Sequence, residues 1–271
     1  MASLPLTRDL IDDPANYRLA LMIAPDAIDV VVRRVAGEAE PITAHIALQQ
    51  GVDYASAVEE AVYANPLLPA QLFNRVDIIL RPERFQLLDA TTAADSDAVD
   101  ALVQLIHDDA AAPAPIVCPV NADYAMLALI PQPLARFIRR TFDQARLLSH
   151  LWPLACYFGR QSRQGNCDKL YAVIHGSNLD VLAFTSAGLV AANSYRCPNI
   201  NDAAYYIFAL AKSLNFNLEA DHIIVAGDSP LRASLLAVLR RFAANALPAI
   251  VPADTSAVNA PLHLQILPLC E

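Results

Sequence analysis

The stretch LYAVIHGSNLDVLAFTSAGLVAANSY, Leu170 to Tyr195, decides the fold. Three runs of apolar and β-branched residues, Leu170 to Ile174, Val181 to Thr185 and Val190 to Tyr195, are separated by Gly176-Ser177-Asn178 and by Gly188. That is the pattern of a three-stranded meander joined by tight turns. Directly after it Ala203, Tyr206, Ile207, Leu210, Ala211 and Leu214 recur at spacings of three and four, and Asn199 and Asp202 stand as a capping pair. A helix follows the meander. Ile223 to Ala226 then reads as a strand and Gly227-Asp228-Ser229-Pro230 as a turn, and Leu231, Leu235, Val238, Leu239 and Phe242 line a further helix.

The same order stands at the N-terminus. Tyr17 to Ala24, Ala27 to Arg34 and Thr43 to Leu48 read as strands separated by Pro25-Asp26 and by Gly37. Asp53 caps a helix over about 53–65 in which Ala57, Val58, Ala61 and Val62 form one face. Strand-like runs follow at Val76 to Leu80 and Phe85 to Leu88, then a helical face at Val99, Leu102, Val103 and Ile106. The alanine and proline run 110–115 reads as a loop, Ala125 to Ile130 as a strand, and Leu134 to Phe142 as a helix opened by Pro133. Strand-like runs at Leu247 to Val251 and Leu262 to Leu267 close the chain. A meander, helix, strand and helix used twice predicts a mixed-sheet α/β (α+β) protein with a duplicated architecture. Residues 1–150 form the first expected lobe and 151–271 the second, with a cleft between them.

This layout resembles the two-lobed, ribonuclease H-like actin fold of sugar kinases, heat-shock chaperones, and assembly proteins of pilus and secretion machines. The segments Ala192 to Tyr195 (ANSY), Asn201 to Phe208 (NDAAYYIF) and Phe85 to Leu88 (FQLL) are similar to recurring segments of an uncharacterised bacterial family, domain of unknown function 3822. The chain departs from that family after Phe85, where Leu88-Asp89-Ala90 replaces a Val-Pro. The resemblance implies an actin-like fold and brings no activity with it.

Composition excludes several classes. With 55% hydrophobic and 17% charged residues the chain folds around a large core. A formal charge of −9 repels phosphate backbones, so nucleic acid is not an expected partner. The tandem arginines Arg139/Arg140 and Arg240/Arg241 fall near helix C-termini, where cations are stabilised. The longest apolar run, Leu147 to Phe158, is broken by Ser149, His150 and Pro153, so no membrane insertion is expected. The first residues lack a signal-peptide pattern, and the expected location is the cytoplasm. Five widely spaced cysteines read as reduced thiols, and six isolated histidines give no metal site.

Actin-like ATPases hold phosphates on two hairpin turns in which glycine admits backbone N–H groups and aspartate positions the metal. Here the first turn, Ala24-Pro25-Asp26, has no glycine, and Pro25 removes a donor. The second, His175-Gly176-Ser177-Asn178, lacks an aspartate before its glycine. The element that meets the adenosine is reduced to Val225-Ala226-Gly227-Asp228-Ser229, where Asp228 reads as a helix cap. Gly176, Ser177, Gly227, Asp228 and Ser229 are therefore the candidate residues of a degenerate nucleotide cleft. No P-loop, no nucleophile elbow and no catalytic residue is recognised, and the acidic string Asp95 to Asp100 reads as a solvated helix face. Tyr206 is expected in the core and Tyr205 on the surface. The sequence favours a non-catalytic actin-like protein that binds another protein and needs no cofactor. Two alternatives stay open: a structural or slowly switching ATP/Mg site, and a small-molecule enzyme of unassigned class.

Overall fold

The computed structural model describes residues 6–37, 39–69, 73–82, 84–106, 113–164, 166–252 and 259–270. By its internal contacts the chain divides into two units, Met1–Trp152 with Ser256–Ala260 and Pro153–Thr255 with Pro261–Glu271.

The first unit is built on β1 (Tyr17–Ile23), β2 (Ala27–Arg34), β3 (Ile42–Ala47), β4 (Arg75–Leu80) and β8 (Arg146–Ser149). They form one sheet in the order β3-β2-β1-β4-β8. The hairpin pairs are antiparallel, while β1–β4 and β4–β8 are parallel. α1 (Tyr54–Tyr63) starts where the Asp53 carboxylate accepts the Ser56 N–H, and buries Ala55, Ala57, Val58 and Val62. α4 (Gln132–Thr141) packs beside it, with Tyr63 edge-on to Phe137 at 5.9 Å. A three-stranded antiparallel sheet in the order β5-β7-β6 is inserted between them, from β5 (Arg84–Asp89), β6 (Ala114–Pro119) and β7 (Tyr124–Ile130). Leu88, Leu127 and Leu129 of this sheet close over Val99 and Val103 of α3 (Ser96–Ile106), which follows the single turn α2 (Ala90–Ala94). Asp95 caps α3 by accepting the N–H groups of Asp97 and Ala98, and Asp97 and Asp100 remain exposed.

The second unit repeats the plan. β9 (Lys169–His175), β10 (Asn178–Thr185), β11 (Gly188–Arg196), β12 (His222–Gly227) and β13 (Ala246–Pro248) lie in the order β11-β10-β9-β12-β13. Again the hairpins are antiparallel and the later strands parallel to the first. The order is that of the first five-stranded sheet, strand for strand. Leu170, Ala172 and Ile174 of β9, Val181 of β10 and Val225 of β12 face one way, onto α6 (Ile200–Ser213) and α7 (Ser229–Leu239). Tyr171 and Phe184 face the other way, and Phe158 of α5 (Leu151–Ser162) stacks on Tyr171 at 4.2 Å. Lys169 is buried because its ammonium donates to the carbonyls of Gln161, Ser162 and Gln164 at the end of α5.

Several elements differ from the sequence expectation. The run 110–115 was expected as a loop; residues 110–112 lie outside the described residues, and Ala114 already begins β6. Pro115 and Pro119 masked that strand, and they are accommodated because β6 is at the edge of its sheet. Leu262 to Leu267, expected as a strand, forms α8 (Leu262–Ile266) and enters a 3-10 turn, Leu267–Cys270. Leu262-His263-Leu264-Gln265-Ile266 alternates apolar and polar residues, which is the period of a strand, but His263 is buried on Asp180 along with the apolar residues, so the alternation does not mark two faces. Phe242 lies beyond the end of α7 and is 60% exposed rather than lining that helix. β13 covers only part of the strand expected from Leu247 to Val251. β8 and α5 arise from the apolar run Leu147 to Phe158, where a sharp turn at His150 separates them.

Candidate functional site

The expected site residues lie at the C-terminal ends of β9 and β12. These strands are parallel neighbours, with Ile174 opposite Gly227, and open sheets of this kind bind ligands beyond their strand ends. Gly176 and Ser177 make the two-residue turn between His175 and Asn178, and Gly176 has φ +54. Ser177 turns its carbonyl to the Cys197 N–H at 2.7 Å. Gly227 has φ +101, and a Cβ there would meet the Ile174 carbonyl oxygen at 1.9 Å. Its glycine is thus required by the close passage of one strand end over the other.

Asp228 does not cap α7 through its side chain, contrary to the sequence expectation. Its carboxylate reaches instead across to the β9–β10 turn. Oδ2 accepts the Gly176 N–H at 2.9 Å, Oδ1 pairs with His175 Nδ1 at 2.8 Å, and the Asp228 N–H donates to Ile174 O at 2.9 Å. Burial raises the carboxyl pKa, but the hydrogen bonds from His175 and Gly176 and the charge of His175 outweigh it, so the group lies below its ordinary value. Ser229 opens α7, followed by Pro230. A carboxylate therefore occupies the backbone donor that a phosphate turn offers. The sequence could not pair His175 with Asp228, because only the parallel register of β9 and β12 brings them together.

In the first unit the Ala24-Pro25-Asp26 turn is closed by Ala24 N–H donating to Ala27 O at 2.9 Å, and the Asp26 carbonyl accepts the Leu48 N–H at 2.8 Å. A second polar cluster escaped the sequence analysis. Asp180, 1% exposed, takes His263 Nε2 on Oδ2 at 2.9 Å and the Ser194 hydroxyl on Oδ1 at 2.5 Å, which fastens α8 to β10 and β11. Among the described residues no group of three metal-ligating side chains occurs, and no helix is long and apolar enough to cross a membrane.

On the surface of the second unit Tyr205 is 68% exposed, whereas Tyr206 packs on the core and stacks on Tyr195 at 4.2 Å. Phe208 and Phe242 meet edge to face at 5.7 Å beside a cleft of about 430 Å³ that also includes Lys212, Phe216 and Leu218.

Two sheets of one strand order, each a meander with parallel strands added, place the chain in the actin-like ATPase fold. It belongs to the family described as protein of unknown function (DUF3822), whose model matches residues 8–246. A protein with actin-like ATPase fold and unknown function from Bacteroides thetaiotaomicron is similar over 96% of this chain and 99% of its own, with TM-score 0.80 and 20% identity. A chain of the PilM-PilN type IV pilus biogenesis complex is similar over 93% of this chain and 97% of its own, with TM-score 0.55 and 14% identity. No curated protein sequence matches. At these identities the likeness is one of fold.

Proposed function

We propose that this chain is a cytoplasmic, non-catalytic protein of the actin-like fold that acts by binding another protein. The observation that carries the reading is the Asp228 carboxylate on the Gly176 N–H at 2.9 Å. A nucleotide phosphate at that turn would have to displace a fixed negative charge of its own sign and sit beside it. The first turn adds to the argument, since Pro25 has no N–H to offer. Five unbridged thiols fit a reducing compartment. Exposed aromatic surface at Tyr205 and Phe242 fits a protein partner, because such side chains dominate binding hot spots. The structural neighbour in the PilM-PilN complex is seen with a protein partner, which supports the same reading by analogy of fold.

Two measurements test it. Calorimetric titration with Mg-ATP is expected to show no binding; a dissociation constant tighter than about 100 μM, near −5.5 kcal/mol, establishes the nucleotide switch instead. Affinity purification from the native cell is expected to recover one protein reproducibly, and to lose it in the Tyr205→Ala/Phe242→Ala variant. Repeated recovery of none defeats the reading.

A further inference from the structure

The first unit contains a cavity of about 530 Å³ whose lining includes Arg81, Arg84, Gln132, Tyr54, Leu129 and Leu134. That volume is in the range of small-molecule sites, and the mixture of apolar wall and few convergent polar groups is theirs as well. The cavity is built where the chain leaves one sheet for the next. The Arg81 N–H donates to Ile23 O at 3.0 Å, which holds the end of β4 against the end of β1. Three residues later Arg84 opens β5 opposite Leu129 of β7. The two guanidiniums are thereby set at the junction of two sheets. Arg84 also donates to the Ile106 carbonyl at the end of α3, which restrains its position.

The far wall is the first turn of α4. Pro131 stands at its N-cap position and makes no side-chain cap bond, and Pro133 follows within the turn. Gln132 and Leu134, whose N–H groups precede the first intrahelical bond from Ala135 to Pro131 O at 3.0 Å, both line the same space. Among the described residues no aspartate or glutamate lines the cavity, although acidic residues outnumber basic ones by 28 to 19 in the chain. The charged residues described in its lining are Arg81 and Arg84.

We propose that this cavity binds an amphiphilic organic anion, its carboxylate or phosphate head held by Arg81 and Arg84 at the mouth of α4 and its apolar body against Leu129, Leu134 and Tyr54. Guanidinium groups match both oxyanions, and proline-rich walls supply apolar surface with few competing N–H donors. The cavity wall includes Pro25 of the first hairpin turn, and the site is separate from the β9–β12 junction.

The test is calorimetry of the full chain with three eight-carbon probes: octanoate, octyl phosphate and octanol. At least one anion is expected to bind about tenfold or more tightly than octanol. The tighter of the two identifies the head group. Arg81→Gln alone, and Arg81→Gln with Arg84→Gln, are expected to weaken the anion by about tenfold or more while leaving the unfolding midpoint within a few degrees. The single variant keeps the test valid where loss of the Arg84–Ile106 bond disturbs β5. Failure of all three probes, equal binding of octanol and the anions, or unchanged affinity in Arg81→Gln overturns the proposal.

Discussion

The Asp228 carboxylate accepts the backbone N–H of Gly176 at 2.9 Å across two parallel strands, 52 residues away in the chain. One short side chain thus ties the β9–β10 turn to the start of α7. Asp228→Ala should therefore loosen the turn and lower stability by about 1 kcal/mol, a value reduced from that of a buried charged bond because the site is partly exposed. Amide hydrogen exchange at Gly176 and urea unfolding measure the two effects. An unchanged Gly176 exchange rate would show that the turn holds without the carboxylate.

The same bond sets a pH dependence. The folded Asp228 carboxyl lies below its ordinary value, so its contribution to stability is present above the unfolded pKa, near 3.9, and is lost as pH falls through the lower folded value. In Asp228→Asn this contribution is absent at every pH. The wild-type minus variant difference in unfolding free energy should shrink below about pH 4. A difference that does not shrink as pH falls below about 4 contradicts the assignment.

Much of the architecture was legible because its signals are local. Both meanders, the helix spacing after each and the Asn199 and Asp53 caps follow from periodicity and turn chemistry, and each cap bond is present. What escaped depended on tertiary context. β6 is a proline-bearing edge strand, and α8 carries the apolar-polar alternation Leu262-His263-Leu264-Gln265-Ile266 that names a strand, so local pattern misnames both. The role of Asp228 escaped in the same way. Gly176, Gly227 and Asp228 could be singled out one by one, but the role of Asp228 is set by the register of β9 on β12, which no local pattern encodes.

Gly227 gives a sharper test of that register. Alanine there would place Cβ 1.9 Å from the Ile174 carbonyl oxygen at φ +101, so the strand ends must part. Gly227→Ala should cost about 3 kcal/mol or more. Gly51→Ala is the control, since Gly51 also has positive φ, +81, with nothing within 4 Å of the added carbon. It should cost only about 1 kcal/mol. Equal losses in thermal or urea unfolding would mean that backbone conformation alone, not the close approach, demands glycine at 227.

Thiol labelling reads the core directly. Burial pushes the Cys118 and Cys197 thiols up to about 11, which leaves roughly a thousandth of each as thiolate at pH 8. Cys270 is buried as well, with Pro153 O at 3.3 Å from its sulfur. An aromatic disulfide reagent at pH 8 should therefore modify Cys156 and Cys167, which are only half-buried, and reach the other three on unfolding. Mass spectrometry after brief labelling identifies the sites. Early modification of Cys197 would show that the core between β11 and α6 opens faster than the fold as a whole.

The pair formed by His263 and Asp180 is 0% and 1% exposed, and Asp180 also holds Ser194. Removing one member of a buried pair leaves the other desolvated, so His263→Leu and Asp180→Leu should each cost about 3 kcal/mol or more. Replacing both by leucine removes the desolvated group together with its partner, and apolar side chains of similar volume recover much of the loss. The double variant should then be more stable than the sum of the singles predicts by about 2 kcal/mol. Ser194→Ala, which removes only the hydroxyl on the second carboxylate oxygen, should cost about 1 kcal/mol. Urea unfolding of the four variants measures the cycle. Additive losses would separate the two residues energetically and leave the docking of α8 to its apolar contacts alone, Leu262, Leu264 and Ile266.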